Sequence, residues 1–281
     1  MKKKNILLLA TIGASILLCS TGSCSMISHA NIQKNLYDDW SGYIRIEGEE
    51  ETIWKGTISF GNSLINAENM DTHVIEEHEI NYPCVLGALD AASGKGGFSY
   101  TVVYYPSWDS LFVTSINGDS MGEKTGWNYF VDYEAIMVGA EQYELTNEKN
   151  EVLWGYLYYE NWETSAHALK ISIDKTTVKK GEEFTITVKN EENNLVNNAI
   201  VKVGLLTYFT DNDGKVKTFL NDAGNYKVLA EKDPNTENTY VRSDALTLEV
   251  EKSRNKNFNL FSYLKNLKIT FFNNIFEKLN F

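Results

Sequence analysis

Alternation of apolar and polar residues dominates the chain between residues 37 and 251. Trp40-Ser-Gly-Tyr-Ile-Arg-Ile-Glu47 and Thr52-Ile-Trp-Lys-Gly-Thr-Ile-Ser-Phe60 put apolar side chains on every second position, the period of a half-buried strand. The acidic Gly48-Glu-Glu-Glu51 between them reads as an exposed turn, so the pair predicts a hairpin. Residues 62–73 are less regular, and 79–82 predict a short strand. Further strands are predicted at 99–105, 111–116, 127–131, 143–145 and 152–158. One segment changes period. After Pro83, apolar residues fall at 85, 86, 89 and 92, a helical stripe that closes at Gly94. Residues 37–160 therefore read as an α+β domain, with one helix on a single mixed, mostly antiparallel sheet.

Residues 161–168 read as a link. Alternation then returns in short runs at 169–173, 178–188, 199–205, 208–210, 216–220, 224–230 and 245–250, with turn residues between them. Short strands at this spacing predict an all-β sandwich over 168–251. Thr210-Asp-Asn-Asp-Gly-Lys-Val216 and Ala223-Gly-Asn-Tyr226 resemble the Ig-like and carboxypeptidase-regulatory-like modules of bacterial and archaeal surface proteins.

The two ends follow other rules. Lys2-Lys3-Lys4, the apolar run from Ile6 to Cys19 and the small residues of Ser28-His29-Ala30 read as a secretory signal peptide over residues 1–30. Lipid attachment at Cys24, whose flanking residues fit a lipid box poorly, and an uncleaved anchor are the alternatives. Residues 253–281 predict a basic amphipathic helix, since apolar residues at 260, 264, 267, 271, 275 and 279 draw one face. Lys265, Lys268 and Lys278 interrupt it, so it does not read as a membrane span. Its expected partners are a membrane surface, a cell-envelope protein or the acidic body of the chain.

Charge sharpens that division. The chain carries −12; residues 1–30 contribute +3 and residues 252–281 contribute +5, which leaves −20 on residues 31–251. Such a body repels nucleic acid. Only Cys84 lies in the body, so no internal disulfide is expected there. The apolar Cys84-Val-Leu run makes that thiol a small buried hydrophobe.

Three motifs raise the question of chemistry. Gly118-Asp-Ser-Met-Gly122 fits the G-x-S-x-G pattern of a hydrolase nucleophile elbow, which needs a strand before the serine and a helix after it. The strand is predicted, but Glu123-Lys-Thr-Gly126 is loop sequence and Trp127 opens another strand. Ser120 therefore reads as a loop residue. Asp211-Asn-Asp-Gly214 has too few carboxylates for a calcium loop and reads as a turn. His73 and His78, among Glu76, Glu77 and Glu79, lack metal-ligand spacing. The expectation is a non-catalytic protein with no metal site.

The order of residues 81–158 carries a second resemblance. Thr114-Ser-Ile-Asn-Gly118, the Trp127 strand, Val138-Gly-Ala-Glu-Gln-Tyr143 and Glu151-Val-Leu-Trp154 are similar to the C-terminal β-domain of the transcobalamin and intrinsic factor family and its stand-alone prokaryotic relatives. The resemblance implies a β-grasp-like fold and a cobalamin-like corrinoid as ligand, capped by apolar contacts. Carried across, the capping residues are Trp127, Tyr133, Ile136 and Met137. Independently, such side chains offer broad area for a flat macrocycle. They fit equally a plain core, with Trp127 inside and Met137 packed beneath it. Two departures bear on the ligand. The chain has no room for the large helical domain that completes the site in transcobalamins, and Asp132-Tyr133 replaces an Asn-Gly-like turn. The expected function is extracytoplasmic, secreted or cell-surface ligand binding. The alternative is a structural or adhesive surface protein with no small-molecule ligand.

Overall fold

The computed structural model describes residues 39–159, 165–232 and 239–252. The predicted signal segment 1–30 and the tail 253–281 lie outside the described residues. What is described is mostly β, with a single helix and several sheets.

The first lobe runs β1 (Trp40–Glu47), β2 (Thr52–Phe60), β3 (Ser63–Asn69), β4 (Ile75–Ile80), α1 (Val85–Gly96), β5 (Tyr100–Tyr105) and β6 (Ser110–Ile116). It continues through β7 (Asp119–Ser120), β8 (Thr125–Val131), β9 (Glu134–Ala135) and β10 (Glu151–Tyr158). The single sheet expected from the sequence is two five-stranded sheets, ordered β2-β1-β10-β8-β9 and β4-β3-β5-β6-β7. The physical reason is β3, which the sequence left irregular. It alternates Ser63, Ile65 and Ala67 inward and pairs with β4 and β5, not with β2. The two sheets and α1 share one core, to which Ile44, Ile46, Ile65, Val113, Leu86 and Leu89 all contribute. No strand forms at 143–145; Glu144 makes only an isolated bridge to Cys84.

That bridge belongs to the start of the helix. Cys84 is the N-cap, in extended backbone, and its Sγ accepts from the Gly87 N–H at 3.3 Å. Val85 and Leu86 donate to the carbonyls of Tyr143 (3.3 Å) and Ala140 (3.0 Å). Amides that a helix leaves unpaired at its first turn are thus taken up by the segment 139–143. Burial pushes the Cys84 thiol up to about 11, so it packs and caps without forming a thiolate near neutrality. The helix runs past Gly94, its expected end, to Gly97, which has φ +71° and returns its N–H to the Ser93 carbonyl at 2.8 Å. Only a residue at ease in the left-handed region closes a helix this way, and Gly94 is not in that region.

The second lobe runs β11 (Ala166–Ala168), β12 (Lys170–Ile173), β13 (Thr177–Lys179), β14 (Glu183–Lys189) and β15 (Ile200–Val203). It ends with β16 (Leu206–Phe209), β17 (Lys215–Phe219), β18 (Gly224–Glu231), β19 (Thr239–Val241) and β20 (Leu246–Glu251). Sheets β12-β14-β17 and β13-β20-β18-β15-β16 enclose Phe184, Ile186, Val188, Val201, Val228 and Leu248. β11 falls in the expected link, and pairs in parallel with β19. Its three residues are too few to show a period, and its contacts are distant in sequence.

A third apolar cluster joins the lobes. Phe130, Leu153 and Leu157 on the outer face of the first sheet meet Ala166, Ala168 and Val241. Beside it, Arg45 is fully buried. It donates to Glu47 (2.8 Å), to the Arg242 carbonyl (3.1 Å) and to the Tyr133 hydroxyl (3.3 Å).

Candidate functional site

The four residues carried over by resemblance do not form one patch. Trp127 is only 8% exposed, its indole N–H donates to the Asp119 carbonyl at 2.9 Å, and its ring packs on Tyr156. It points into the first lobe's core. Tyr133 projects on the opposite side of the sheet, against the cluster between the lobes. Ile136 is half-buried against the first core, while Met137 stands 91% exposed. Thus Trp127 takes the core position that its sequence also allowed, and Met137 does not pack beneath it. A flat guest cannot touch all four side chains at once.

Tyr133 has a structural reason to be where it is. Asp132 and Tyr133 both have positive φ, 48° and 66°, and join β8 to β9 through a two-residue loop. That is the type I′ geometry, which Asn-Gly adopts without strain. Here the side chains hold it instead. Asp132 Oδ1 accepts from the amides of Asn150 and Glu151, the Tyr133 hydroxyl accepts from Arg45, and the Lys170 ammonium lies 4.5 Å from the ring centroid.

A concave feature lies elsewhere among the described residues, between the lobes. A cleft of about 420 Å³ is walled by Thr125, Tyr156 and Tyr158 from the first lobe and by Ile200, Lys202 and Tyr240 from the second. Small-molecule sites commonly occupy about 300–1,000 Å³ at such junctions. Arg242 closes its floor. The guanidinium donates to the carbonyls of Gly48, Glu49 and Glu50 in the β1–β2 turn and lies 3.2 Å from the Glu47 carboxylate. The exposed turn expected from the sequence between β1 and β2 is thus held by Arg242 from the second lobe, and forms the lip of the cleft. The Tyr156 hydroxyl donates to Ser120 O (2.7 Å) and is hydrogen-bonded to the Thr125 hydroxyl (2.8 Å), which fixes its phenol at the opposite wall. Lys202 pairs with Glu231 across two adjacent strands. The cleft thus offers tyrosine surface and paired charges, a lining for a polar ligand with one flat or apolar face.

Ser120 sits on the two-residue β7, exposed. Its hydroxyl donates weakly to Ser115 Oγ (3.2 Å) and the Gly118 carbonyl (3.3 Å), and a strand follows it. The strand-to-helix turn of a nucleophile elbow is not its setting. Asp211 Oδ1 accepts from the amides of Asp213 and Lys215, so both capacity and geometry are spent on closing its own turn. Among the described residues, no group of three metal-ligating side chains converges.

Residues 84–157 match the family model described as "Domain of unknown function (DUF4430)". The match begins on the Cys84 cap and ends in β10, so it covers the helix, the Trp127 strand and, of the cleft's lining, Thr125, Tyr156 and Leu157. It excludes β1 to β4 and the whole second lobe. No curated protein matches the chain.

One titrating pair borders the cleft's outer wall. His167 Nδ1 lies 2.6 Å from Glu191 Oε1, and the imidazole stacks on Tyr240 at 4.8 Å. The hydrogen bond to Glu191 raises the His167 pKa above 6.5, against the opposing effect of burial. A raised folded pKa contributes stability that is fully present below the unfolded value and is lost as pH rises through the folded one. Glu191 is shifted the other way: burial opposes, but bonds from His167 and the Ala168 amide outweigh it and lower its pKa below 4.5. Its contribution is lost as pH falls through that lowered value. The pair should therefore stabilise most between about pH 4.5 and 6.5. In thermal melts, His167→Gln should cost several degrees in that window and almost nothing at pH 9. An equal cost at both pH values would remove the ion pair from the account.

Proposed function

We propose that the protein is an extracytoplasmic, non-catalytic binding protein that holds its ligand in the cleft between the lobes. The observation that carries this reading is the Arg242 clamp. A solvated surface loop needs no guanidinium drawn onto three successive carbonyls, whereas a preorganised ligand wall does. The finer fold reading, a β-grasp-like first domain over 37–160 and an Ig-like sandwich over 168–251, belongs to the same proposal. So does export through residues 1–30, with the basic tail 253–281 resting on a membrane or envelope surface.

The first ligand to test is a cobalamin-like corrinoid, on the strength of the resemblance of residues 81–158 to transcobalamin domains. A corrinoid exceeds drug size, so this cleft would cap one face of it and leave the rest open. Calorimetric titration with hydroxocobalamin distinguishes the two candidate surfaces. Tyr158→Ala should weaken binding about tenfold if the cleft is used, the scale of a lost aromatic contact. Met137→Ala should do so instead if the ligand sits at the β8–β9 edge. Absence of heat at millimolar ligand with folded protein would eliminate the corrinoid.

A second reading has its own observation. The apolar cluster and the Arg242–Glu47 ion pair between the lobes make a stiff two-part body, as a stalk or adhesive spacer requires. It predicts no saturable small-molecule binding of any kind at the cleft.

A further inference from the structure

We infer that β16 is a self-pairing edge through which two copies of this chain join antiparallel about a two-fold axis at Thr207. Among the described residues, β16 is the outermost strand of its sheet and bonds on one side only, to β15. A free edge is a template for another strand, and proteins usually blunt it with charge. The other edges of the four larger sheets follow that rule. β4 carries Glu76, Glu77 and Glu79; β17 carries Lys215 and Lys217; β2, β7, β9, β12 and β13 carry Lys55, Asp119, Glu134, Lys170 and Lys179. β16 is Leu206-Thr-Tyr-Phe209, preceded by Leu205, and carries no charge in a body of net −20. Leu205 is fully exposed and Phe209 is 62% exposed.

The occupant follows from register. β15 and β16 are joined by the two-residue turn Gly204-Leu205, with Val203 opposite Leu206 and Val201 opposite Tyr208. The Gly204 amide bonds away from β16, to the Lys227 carbonyl on β18. By alternation Val203 and Val201 bond towards β16, and Leu206 and Tyr208 bond back. The amides and carbonyls of Thr207 and Phe209, and the carbonyl of the turn residue Leu205, then face outward. A second β16 placed antiparallel about Thr207 matches this pattern. Thr207 exchanges bonds with its own copy, and the Phe209 amide donates to the Leu205 carbonyl, while Leu206 and Tyr208 oppose each other between them. The outward amides find acceptors, and the exposed apolar side chains meet one another across the pair. A strand of unrelated sequence would satisfy the backbone, but this register matches the apolar side chains as well. Phe209 is paired with Ile200, which lines the cleft, so the second copy would stand at the cleft's rim.

The test uses the full chain with Cys19→Ser and Cys24→Ser, leaving only the buried Cys84. Opposed residues in a bonded antiparallel pair have Cα atoms about 5.5 Å apart, within disulfide range. Thr207→Cys should therefore oxidise to a covalent dimer, while Thr247→Cys, exposed on β20 of the same sheet, should remain monomeric. In sedimentation equilibrium the parent should dimerise. Phe209→Lys should raise its dimer dissociation constant by about tenfold or more with an unchanged melting temperature. Thr207→Pro is a second disrupting variant, because the amide it removes faces outward. A monomeric parent at 100 micromolar (about that or higher) overturns the inference. So does a dimer that Phe209→Lys and Thr207→Pro leave intact and Thr207→Cys fails to cross-link.

Discussion

Arg45→Ala should lower the free energy of unfolding by about 3–5 kcal/mol, the scale for removing one partner from a buried ion pair. Arg45 and Glu47 are 0% and 1% exposed, with Nη1 and Oε1 2.8 Å apart. Without Arg45, Glu47 retains Arg242 at 3.2 Å and the Thr52 hydroxyl, but a carboxylate in that setting loses half its compensation. The Arg242 carbonyl and the Tyr133 hydroxyl lose a donor at the same time. The loss should also be shared between the lobes, because Arg45 bonds to both. Urea unfolding followed by tryptophan fluorescence is therefore expected to show a lower midpoint and a shallower slope, as the first lobe's transition separates from the second's. Arg45→Met with Glu47→Gln is the decisive control. Methionine fills the volume, glutamine still accepts from Arg242, and no unpaired charge is left. This double variant should recover most of the loss. If it is no more stable than Arg45→Ala, neither lost volume nor the unpaired carboxylate accounts for the effect, and the lost hydrogen bonds to the Arg242 carbonyl and the Tyr133 hydroxyl do.

The same residue shows what the sequence made legible and what it did not. Alternation in Trp40–Glu47 correctly separates Ile44 and Ile46 from Tyr43, Arg45 and Glu47, and it assigns the second set to solvent. The assignment fails because that face of the sheet is covered by the second lobe. The failure had a local signal in β10. Val152-Leu-Trp-Gly-Tyr-Leu157 is apolar on both faces, the mark of a strand buried on both sides. The strands missed were β3, for irregular composition, and β7, β9, β11 and β19, each only two or three residues long and too short to show a period. The helix was read correctly in place and three residues short at its end, since Gly94 and Gly97 look alike until the left-handed angle is seen. The cleft was not legible at all. Its walls join Tyr156 and Tyr158 to Lys202 and Tyr240, residues that no period or motif links, through a guanidinium whose acceptors are backbone atoms. Conversely, Val138-Gly-Ala-Glu-Gln-Tyr143 carried a family resemblance, and its visible work is internal. Buried Glu141 accepts from Ser110 Oγ (2.9 Å) and the Leu111 amide (3.1 Å), and its neighbours cap the helix. A motif that holds a fold together looks the same in sequence as one that holds a ligand.

Gly155→Ala should destabilise the protein by about 1–3 kcal/mol, the usual cost of forcing a methyl group into a filled core. A glycine inside a strand often marks close approach of another backbone, and here the approaching chain is β19. A Cβ at Gly155 would lie 2.2 Å from Val241 Cγ2 and 3.1 Å from its Cβ. Val241 is 2% exposed and β-branched, so its restricted χ1 and buried setting leave it little room to retreat. The strain would fall on the junction of the lobes, where β10 and β19 cross beneath the cleft. Val241→Ala removes the clashing methyls at the cost of a cavity when made alone. Combined with Gly155→Ala, it should be less destabilising than the two single changes added, by about 1 kcal/mol or more of coupling. Gly94→Ala gives the opposite sign as an internal standard. Nothing lies within 4 Å of its added methyl, and helix propensity alone should make it more stable, by about 0.5–1 kcal/mol. Additive behaviour of Gly155→Ala and Val241→Ala in denaturant unfolding would mean that the strands do not meet as closely as the geometry has them. The cleft above them would then lose the rigid floor on which preorganised binding depends.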